Sequence, residues 1–289
     1  MKINRSLGDI TFDVVNYTLL LLIASICIFP FIQIIGGSFA TTQELVTKDI
    51  VIIPETFSLD AYKVMFADGK IPRSLLITVF ITFFGTLINL AMTSTAAYAL
   101  SRKGFKGRRF IMFLIVFTLL FEGGLIPTYL VVKELHMLNT YWSIMIPNAI
   151  NAFNLILMRN FFMQLPEELF ESAKMDGANE LKIFYKIALP LSKASLATFA
   201  LFYAVTHWNN FFHPFLYLSD SDMWPIQVWL RELIILSSGS FTNPGFAVDV
   251  PTQSLKMATI VVATVPILIV YPFVQKYFAK GVMVGSVKG

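Results

Sequence analysis

Asn148, Asn151 and Asn154 recur at every third position of one apolar stretch. Tyr203, His207 and Asn210 share a helical face in another, with Trp208 and Asn209 beside them. A three-residue spacing keeps side chains along one slowly drifting face of a helix. Amides and aromatic rings set in an apolar wall suit a solute with hydroxyls on one edge and C–H groups on another, as in a sugar. The same side chains also join neighbouring membrane helices by hydrogen bonds, so each residue taken alone carries either reading. Glu122, followed by Gly123-Gly124, is a further polar group in an apolar run; it reads as a pathway group or as a helix-end carboxylate. Thr78, Thr82, Thr86, Asn89 and Thr93 also follow helical spacing and are read mainly as packing positions.

No catalytic constellation accompanies them. His207 and His213 are six apart and His136 lies in another segment; no His-Glu-x-x-His or other metal-ligand spacing occurs, and no nucleophile–base pair can be argued. Gly69-Lys70 is followed by Ile71, so no phosphate-binding Gly-x-x-x-x-Gly-Lys-Ser/Thr loop is present. Cys27 is the single cysteine and cannot form an internal disulfide.

The elements that must position these groups are membrane spans. Of 289 residues, 56% are hydrophobic and only 14% charged, against roughly 25% charged in soluble domains. Six apolar runs can each cross a hydrocarbon core as a helix: Val14–Ile35, Ser74–Leu100, Phe110–Val132, Tyr141–Phe162, Ser195–Leu218 and Met257–Tyr277. The runs are continuous rather than alternating, which excludes a barrel. The first is too long for a signal-peptide core and is read as an uncleaved span. Basic residues sort to one side: Lys2 and Arg5; Arg102 to Arg109; Lys174, Lys182, Lys186 and Lys193; and Lys276, Lys280 and Lys288. The first loop of the other side mixes Lys48, Lys63 and Lys70 with Glu44, Asp49, Glu55, Asp60 and Asp68. The positive-inside rule then places both termini in the cytoplasm. Basic residues beside spans account for the isoelectric point of 9.0, and no basic patch interleaved with aromatics suggests nucleic acid. On the outer side, Ser58 starts a short helix, and the amphipathic segment Trp224–Leu236 is expected at the membrane surface, anchored by Trp224 and Trp229.

Residues 165–190, LPEELFESAKMDGANELKIFYKIALP, interrupt this pattern on the basic, cytoplasmic side. Pro166 suits a first helical turn, and Glu167 and Glu168 suit the positive helix end. Leu169, Phe170 and Ala173 form an apolar stripe with Glu171 and Lys174 beside it. Asp176-Gly177 ends that helix and Asn179 caps the next, whose apolar face carries Leu181, Phe184, Ile187 and Ala188. Pro190 breaks or restarts the chain at the membrane. The order of start, turn, cap and stop favours a helical hairpin that docks a cytoplasmic partner over a solvated connection.

ESAKMDGANELKIFYKIALP resembles the EAA loop of binding-protein-dependent ABC importer permeases. Glu171, Ala173, Gly177, Phe184, Leu189 and Pro190 match its pattern, and Ser172 stands where the first Ala is usual. GSFATTQEL, WNNFFHPFLYL and the basic tail agree, so the resemblance covers the chain and is nearest to carbohydrate permeases of the maltose type, in the branch for uronate-containing oligosaccharides. It implies an all-α polytopic membrane protein with six transmembrane helices, both termini inside, and a coupling-helix hairpin, as in type I importers, with residues 1–289 a single permease domain. It implies that Glu171, Ala173, Asp176, Gly177, Ala178, Phe184, Leu189 and Pro190 couple to an ATPase, while Glu122, the asparagines, Tyr203, His207 and Trp208 contribute to a solute pathway. The expected partners are a second homologous permease, an ATP-binding subunit pair that holds ATP and Mg, an extracytoplasmic solute-binding protein, an oligosaccharide and the lipid bilayer. No cofactor is expected in this chain. A non-sugar solute such as a polyamine or phosphate ester, a polytopic membrane enzyme and a secondary transporter are the competing readings.

Overall fold

The computed structural model describes residues 7–67, 69–237 and 253–286, with the backbone alone for Leu7, residues 236–237 and residues 273–286. The expectations for Lys2, Arg5, Asp68 and Lys288 lie outside the described residues. Regular structure among the described residues is helical, apart from an isolated antiparallel bridge between Ala40 and Phe57. The chain divides into two units, residues 1–69 with 232–265 and residues 70–231 with 266–289.

The first unit holds α1 (Leu7–Ser38), α2 (Thr42–Thr47), α3 (Asp60–Ala67) and the start of α15 (Gln253–Ser286). Apolar side chains cover α1 on all sides and remain exposed, as a lipid-facing helix requires. The segment after α1 is folded rather than loose. Thr41 caps α2 by accepting from the Glu44 N–H at 3.3 Å, and the Glu44 carboxylate accepts from the Glu55 N–H at 3.0 Å. Phe39 stacks with Phe57 and Tyr62. The Ser58 hydroxyl accepts from the Asp60 N–H at the head of α3, as its sequence position suggests.

The second unit is built around α4 (Lys70–Ser101). Packed on it are α7 (Trp142–Met145), α8 (Ala152–Met163) and α12 (Lys193–Trp208). The core shared by α4, α8 and α12 includes Ala97, Tyr98, Leu155, Met158, Phe162, Phe199 and Tyr203, joined by Phe170 and Phe184 from residues 165–190. Three helical stretches, Gly8–Ser38, Lys70–Ser101 and Gln253–Pro272, are long and apolar enough to cross a membrane. The other apolar runs are broken. In the third, α5 (Arg108–Leu120) and α6 (Leu125–Glu134) meet at a 118° bend, where Gly124 adopts a positive φ. The fourth, 141–162, is not one helix. Pro147 lacks the N–H that would bond the Ser143 carbonyl, and the neighbouring asparagines compete for backbone groups. Residues 146–151 are consequently non-helical between α7 and α8. The chain bends by 82° at Ser192, ahead of the fifth run, and that run is itself interrupted at residues 209–211, between α12 and α13 (Phe212–Tyr217).

In helix α14 (Ile226–Ser237), Ile226 and Val228 are fully buried and Trp229 is 9% exposed. Trp224, just before it, donates its indole N–H to the Leu218 carbonyl at 3.0 Å. Both tryptophans are thus engaged by protein contacts.

Candidate functional site

Two sites emerge in the second unit, one polar cavity and one charged hairpin. The cavity has a volume of about 340 Å³ and is lined by Asn89, Asn148, Asn151, Asn154, Tyr203, Thr206, His207, Asn209, Asn210 and His213, with Ile144 and Ile150. The break in the fourth run creates it. Non-helical residues expose carbonyls that need donors, and Asn89 on α4 supplies them. Its amide donates to the Asn148 carbonyl at 2.8 Å and to the Ala149 carbonyl at 3.1 Å. With both N–H bonds committed, its Oδ1 must accept, and the His207 Nε2–H donates to it at 2.7 Å. The ring is thus set as the Nε2–H tautomer. Its Nδ1 is buried and has no hydrogen-bond partner among the described residues. Gly85 makes room for this pair: a Cβ there would lie 2.6 Å from the His207 Nε2. One turn beyond Asn89 on α4, the Thr93 hydroxyl bonds the Tyr203 hydroxyl at 2.8 Å.

The three asparagines of the fourth run do reach one cavity, but not from a common helical face. Asn148 lies in the non-helical segment, Asn151 caps α8 by accepting from the Asn154 N–H at 3.0 Å, and Asn154 lies within α8. Asn210 accepts from both the backbone and the Nδ1 of His213, and Asn209 donates to the Val205 carbonyl. The Asn148 side chain makes no hydrogen bond among the described residues, is exposed, and so remains open to a solute. Two expected members are elsewhere. Trp208 lines a separate apolar groove of about 610 Å³ with Thr82, Thr86, Ala197 and Ala204. Glu122 is exposed in the break between α5 and α6. Asn89, Gly85 and Thr93 were not singled out as pathway residues, because their importance lies in tertiary contacts. The one sequence signal was an amide placed among threonines in a long apolar run.

The hairpin forms as its local signals dictate. Helix α9 (Glu167–Met175) ends with Gly177 at φ 76°, and the Ala178 N–H donates to the Ala173 carbonyl while the Gly177 N–H donates to the Lys174 carbonyl. That bond pair is a Schellman stop. Asn179 then caps α10 (Glu180–Ile183) by accepting from the Lys182 N–H at 2.8 Å. Pro190 does not break the chain. It cannot donate to the Lys186 carbonyl, and the helix widens to a π turn at Phe184–Ala188 just before it, then runs on through α11 (Leu189–Leu191).

Phe170 and Phe184 face inward, 1% and 3% exposed, so Phe184 shapes the hairpin from within rather than presenting a contact. The outer surface carries Leu169, Glu171, Met175, Leu181 and Tyr185, all exposed. A charged network fixes the inner side to the end of α4. The Tyr98 hydroxyl donates to Glu180 at 2.8 Å, Lys174 pairs with Glu180 at 2.7 Å, and Lys103 pairs with Glu167. The Arg102 guanidinium lies 4.1 Å from the centre of the Phe170 ring. Partial burial pushes the Glu180 carboxyl up, but Lys174 and Tyr98 outweigh it and hold the group below the ordinary carboxylate range. The hydrogen bond from Lys103 does the same for Glu167.

Residues 9–284 match the family described as binding-protein-dependent transport system inner membrane component. The chain belongs to this family. It is a permease subunit of the cell membrane rather than an enzyme, and systems of this family operate with ATPase and solute-binding partners. The chain is 54% identical over 281 residues to the polygalacturonan/rhamnogalacturonan transport system permease protein YtcP of Bacillus subtilis (strain 168), covering 96% of this chain and 98% of the relative. It is 53% identical over 280 residues to protein LplC of the same organism, covering 96% and 95%. The fold matches a chain in the crystal structure of a bacterial ABC transporter involved in the import of the acidic polysaccharide alginate. The TM-score is 0.88 at 35% identity, over 96% of this chain and 100% of that one.

Proposed function

We propose that this permease forms one half of the pore of an ABC importer for an oligosaccharide, with uronate-containing oligosaccharides as the first class to test. The observation that carries this reading is the asparagine-lined cavity at the unwound segment between α7 and α8, in a chain similar to a polygalacturonan/rhamnogalacturonan permease. Amide donors and acceptors match sugar hydroxyls, and Tyr203 and the isoleucines can meet C–H faces. In this reading the chain crosses the membrane six times with both termini in the cytoplasm. The hairpin at 165–190 seats in one subunit of an ATP-binding pair, with Glu171, Ala173, Asp176, Gly177, Ala178, Leu189 and Pro190 forming or shaping the contact. ATP and Mg belong to that pair, and the chain carries no cofactor of its own. A second, homologous permease completes the pore, and an extracytoplasmic solute-binding protein delivers the sugar. Closure of the ATP-binding pair pushes the hairpins and switches access from outside to inside.

A neutral oligosaccharide is the second reading. The cavity lining contains six asparagines and two histidines but no lysine, arginine, aspartate or glutamate, so this wall offers no fixed charge to a uronate. Uptake of labelled oligogalacturonides and of neutral arabino-oligosaccharides by cells with and without the gene separates the two. Loss of oligogalacturonide uptake alone supports the first reading; loss of neutral uptake alone supports the second. Unchanged uptake of both removes the sugar assignment.

A further inference from the structure

The asparagine grip on the cavity and the Tyr98 link to the hairpin lie on one helix, α4. Between Asn89 and Ser101 the sequence contains neither glycine nor proline, so nothing in it favours a kink. The nine-residue step from Asn89 to Tyr98 spans about 14 Å at ~1.5 Å per residue. At one end of this rod, Asn89 holds the non-helical carbonyls of residues 148 and 149, and Thr93 holds Tyr203. At the other end, Tyr98 holds α10 through Glu180, and Arg102 and Lys103, the two residues that follow α4, hold α9 through Phe170 and Glu167.

The links at the hairpin end are not equivalent. Lys103 and Glu167 are 79% and 48% exposed, so water screens that pair, and the pair of Lys174 with Glu180 joins α9 to α10 within the hairpin rather than to α4. Tyr98 is 7% exposed, with its ring centre 5.0 Å from that of Phe184 and 5.9 Å from that of Phe162. Its hydroxyl bond to Glu180 ties a buried side chain of the rod to the first residue of α10. Movement of the hairpin therefore either carries α4 with it or breaks this bond.

We infer that Tyr98 is a positioning residue for coupling. It holds α4 to the hairpin through Glu180, so that displacement of the hairpin is delivered by α4 to the asparagine cavity. This rests on the proposed seating of the hairpin in the ATP-binding subunit.

The test uses the complete transporter in proteoliposomes: both permeases, the ATP-binding pair and the solute-binding protein, with oligogalacturonide as solute. Tyr98→Phe removes the hydroxyl and keeps the ring in its aromatic cluster. The expected result is intact assembly and unchanged basal ATP hydrolysis, with at least a threefold loss of the stimulation of hydrolysis by the binding protein. Glu180→Ala, which also removes the pair with Lys174, should give at least this loss, and adding Tyr98→Phe to it should deepen the loss no further, because the Tyr98 link is already broken. Glu180→Gln retains an acceptor for the Tyr98 hydroxyl and should recover most of the stimulation. Equal stimulation in wild type and Tyr98→Phe overturns the inference, as does a loss that appears only with impaired assembly. These outcomes are read from ATP hydrolysis. A wild-type complex that hydrolyses ATP on stimulation but moves no oligogalacturonide instead overturns that solute as substrate.

Discussion

At Gly85 a single missing methyl group decides whether the cavity can form. The His207 ring lies where a side chain would start, with Nε2 2.6 Å and Cε1 2.7 Å from an added Cβ. Because the ring is also bonded to Asn89, it cannot retreat without releasing the amide that holds the 148–149 carbonyls. Gly85→Ala should destabilise the chain by about 1–3 kcal/mol, the usual range for overpacking, and reduce uptake. Thermal unfolding of the purified complex measures the first effect. A second change, His207→Ala, removes the obstructing ring and should restore part of the stability while leaving uptake low. Full uptake in Gly85→Ala would show that the His207–Asn89 pair does not shape the pathway. Gly177 presents the opposite case, a glycine with open space around it. No heavy atom lies within 4 Å of a Cβ added there, so its requirement is for the φ of 76°. A β-carbon in the left-handed region costs roughly 1–2 kcal/mol, and Asn tolerates that region better than Val. Gly177→Val should therefore lower uptake strongly, and Gly177→Asn should retain most of it. Equal loss in both would point to contact at the surface rather than backbone geometry.

At the scale of elements, the hairpin was legible in the sequence and the cavity only in part. Pro166, Asp176-Gly177 and Asn179 act within a few residues of themselves, so start, stop and cap follow from local chemistry alone. The run 141–162 is long enough to span but carries four asparagines and Arg159, and Pro147 with the asparagines beside it was the local warning that it would unwind. What makes unwinding tolerable is Asn89, 59 and 60 positions away from its acceptors, and periodicity carries no trace of that. Trp208 shows the reverse failure: its neighbours in sequence face the cavity, but its own ring lies in the apolar groove. The attachment of the hairpin to α4 was likewise invisible, although it makes a pH dependence predictable. Glu167 and Glu180 are both held below the ordinary carboxylate range. A group with a depressed folded pKa contributes stability above its unfolded pKa, about 4.3 for Glu, and loses it as pH falls through the lower folded value. Hydrogen-exchange protection of residues 167–183, taken relative to the middle of α4, should be constant from neutral pH down to about pH 5 and fall at lower pH. The double change Glu167→Gln with Glu180→Gln should remove that step. A step of the same size in the double variant would assign it to other groups.

At the scale of the whole molecule the open question is which way the chain faces. Charge bias in short loops sets orientation, and Arg102, Lys103, Lys106, Arg108 and Arg109 form one of its two densest basic clusters. Lys174, Lys182, Lys186 and Lys193 form the other. The structure brings the first cluster to the hairpin that carries the second, since Lys103 pairs with Glu167 and Arg102 covers Phe170. Two basic segments separated by two apolar runs thus share one end of the second unit, as they must if both are cytoplasmic. The segment between α1 and α4 is instead mixed in charge, with Lys48 paired to Glu44 and Glu55 and Lys63 to Asp60. Gly107 and Asn179 are exposed, as is Val64 at 61%, so a cysteine at any of the three can meet a reagent. The native Cys27 is also exposed and must first be replaced, by Cys27→Ala. In intact cells a membrane-impermeant maleimide should label Val64→Cys and leave Gly107→Cys and Asn179→Cys unmodified. All three should react once the membrane is opened. Labelling of Asn179→Cys from outside would place the hairpin on the face away from ATP, where it could not seat in an ATP-binding subunit.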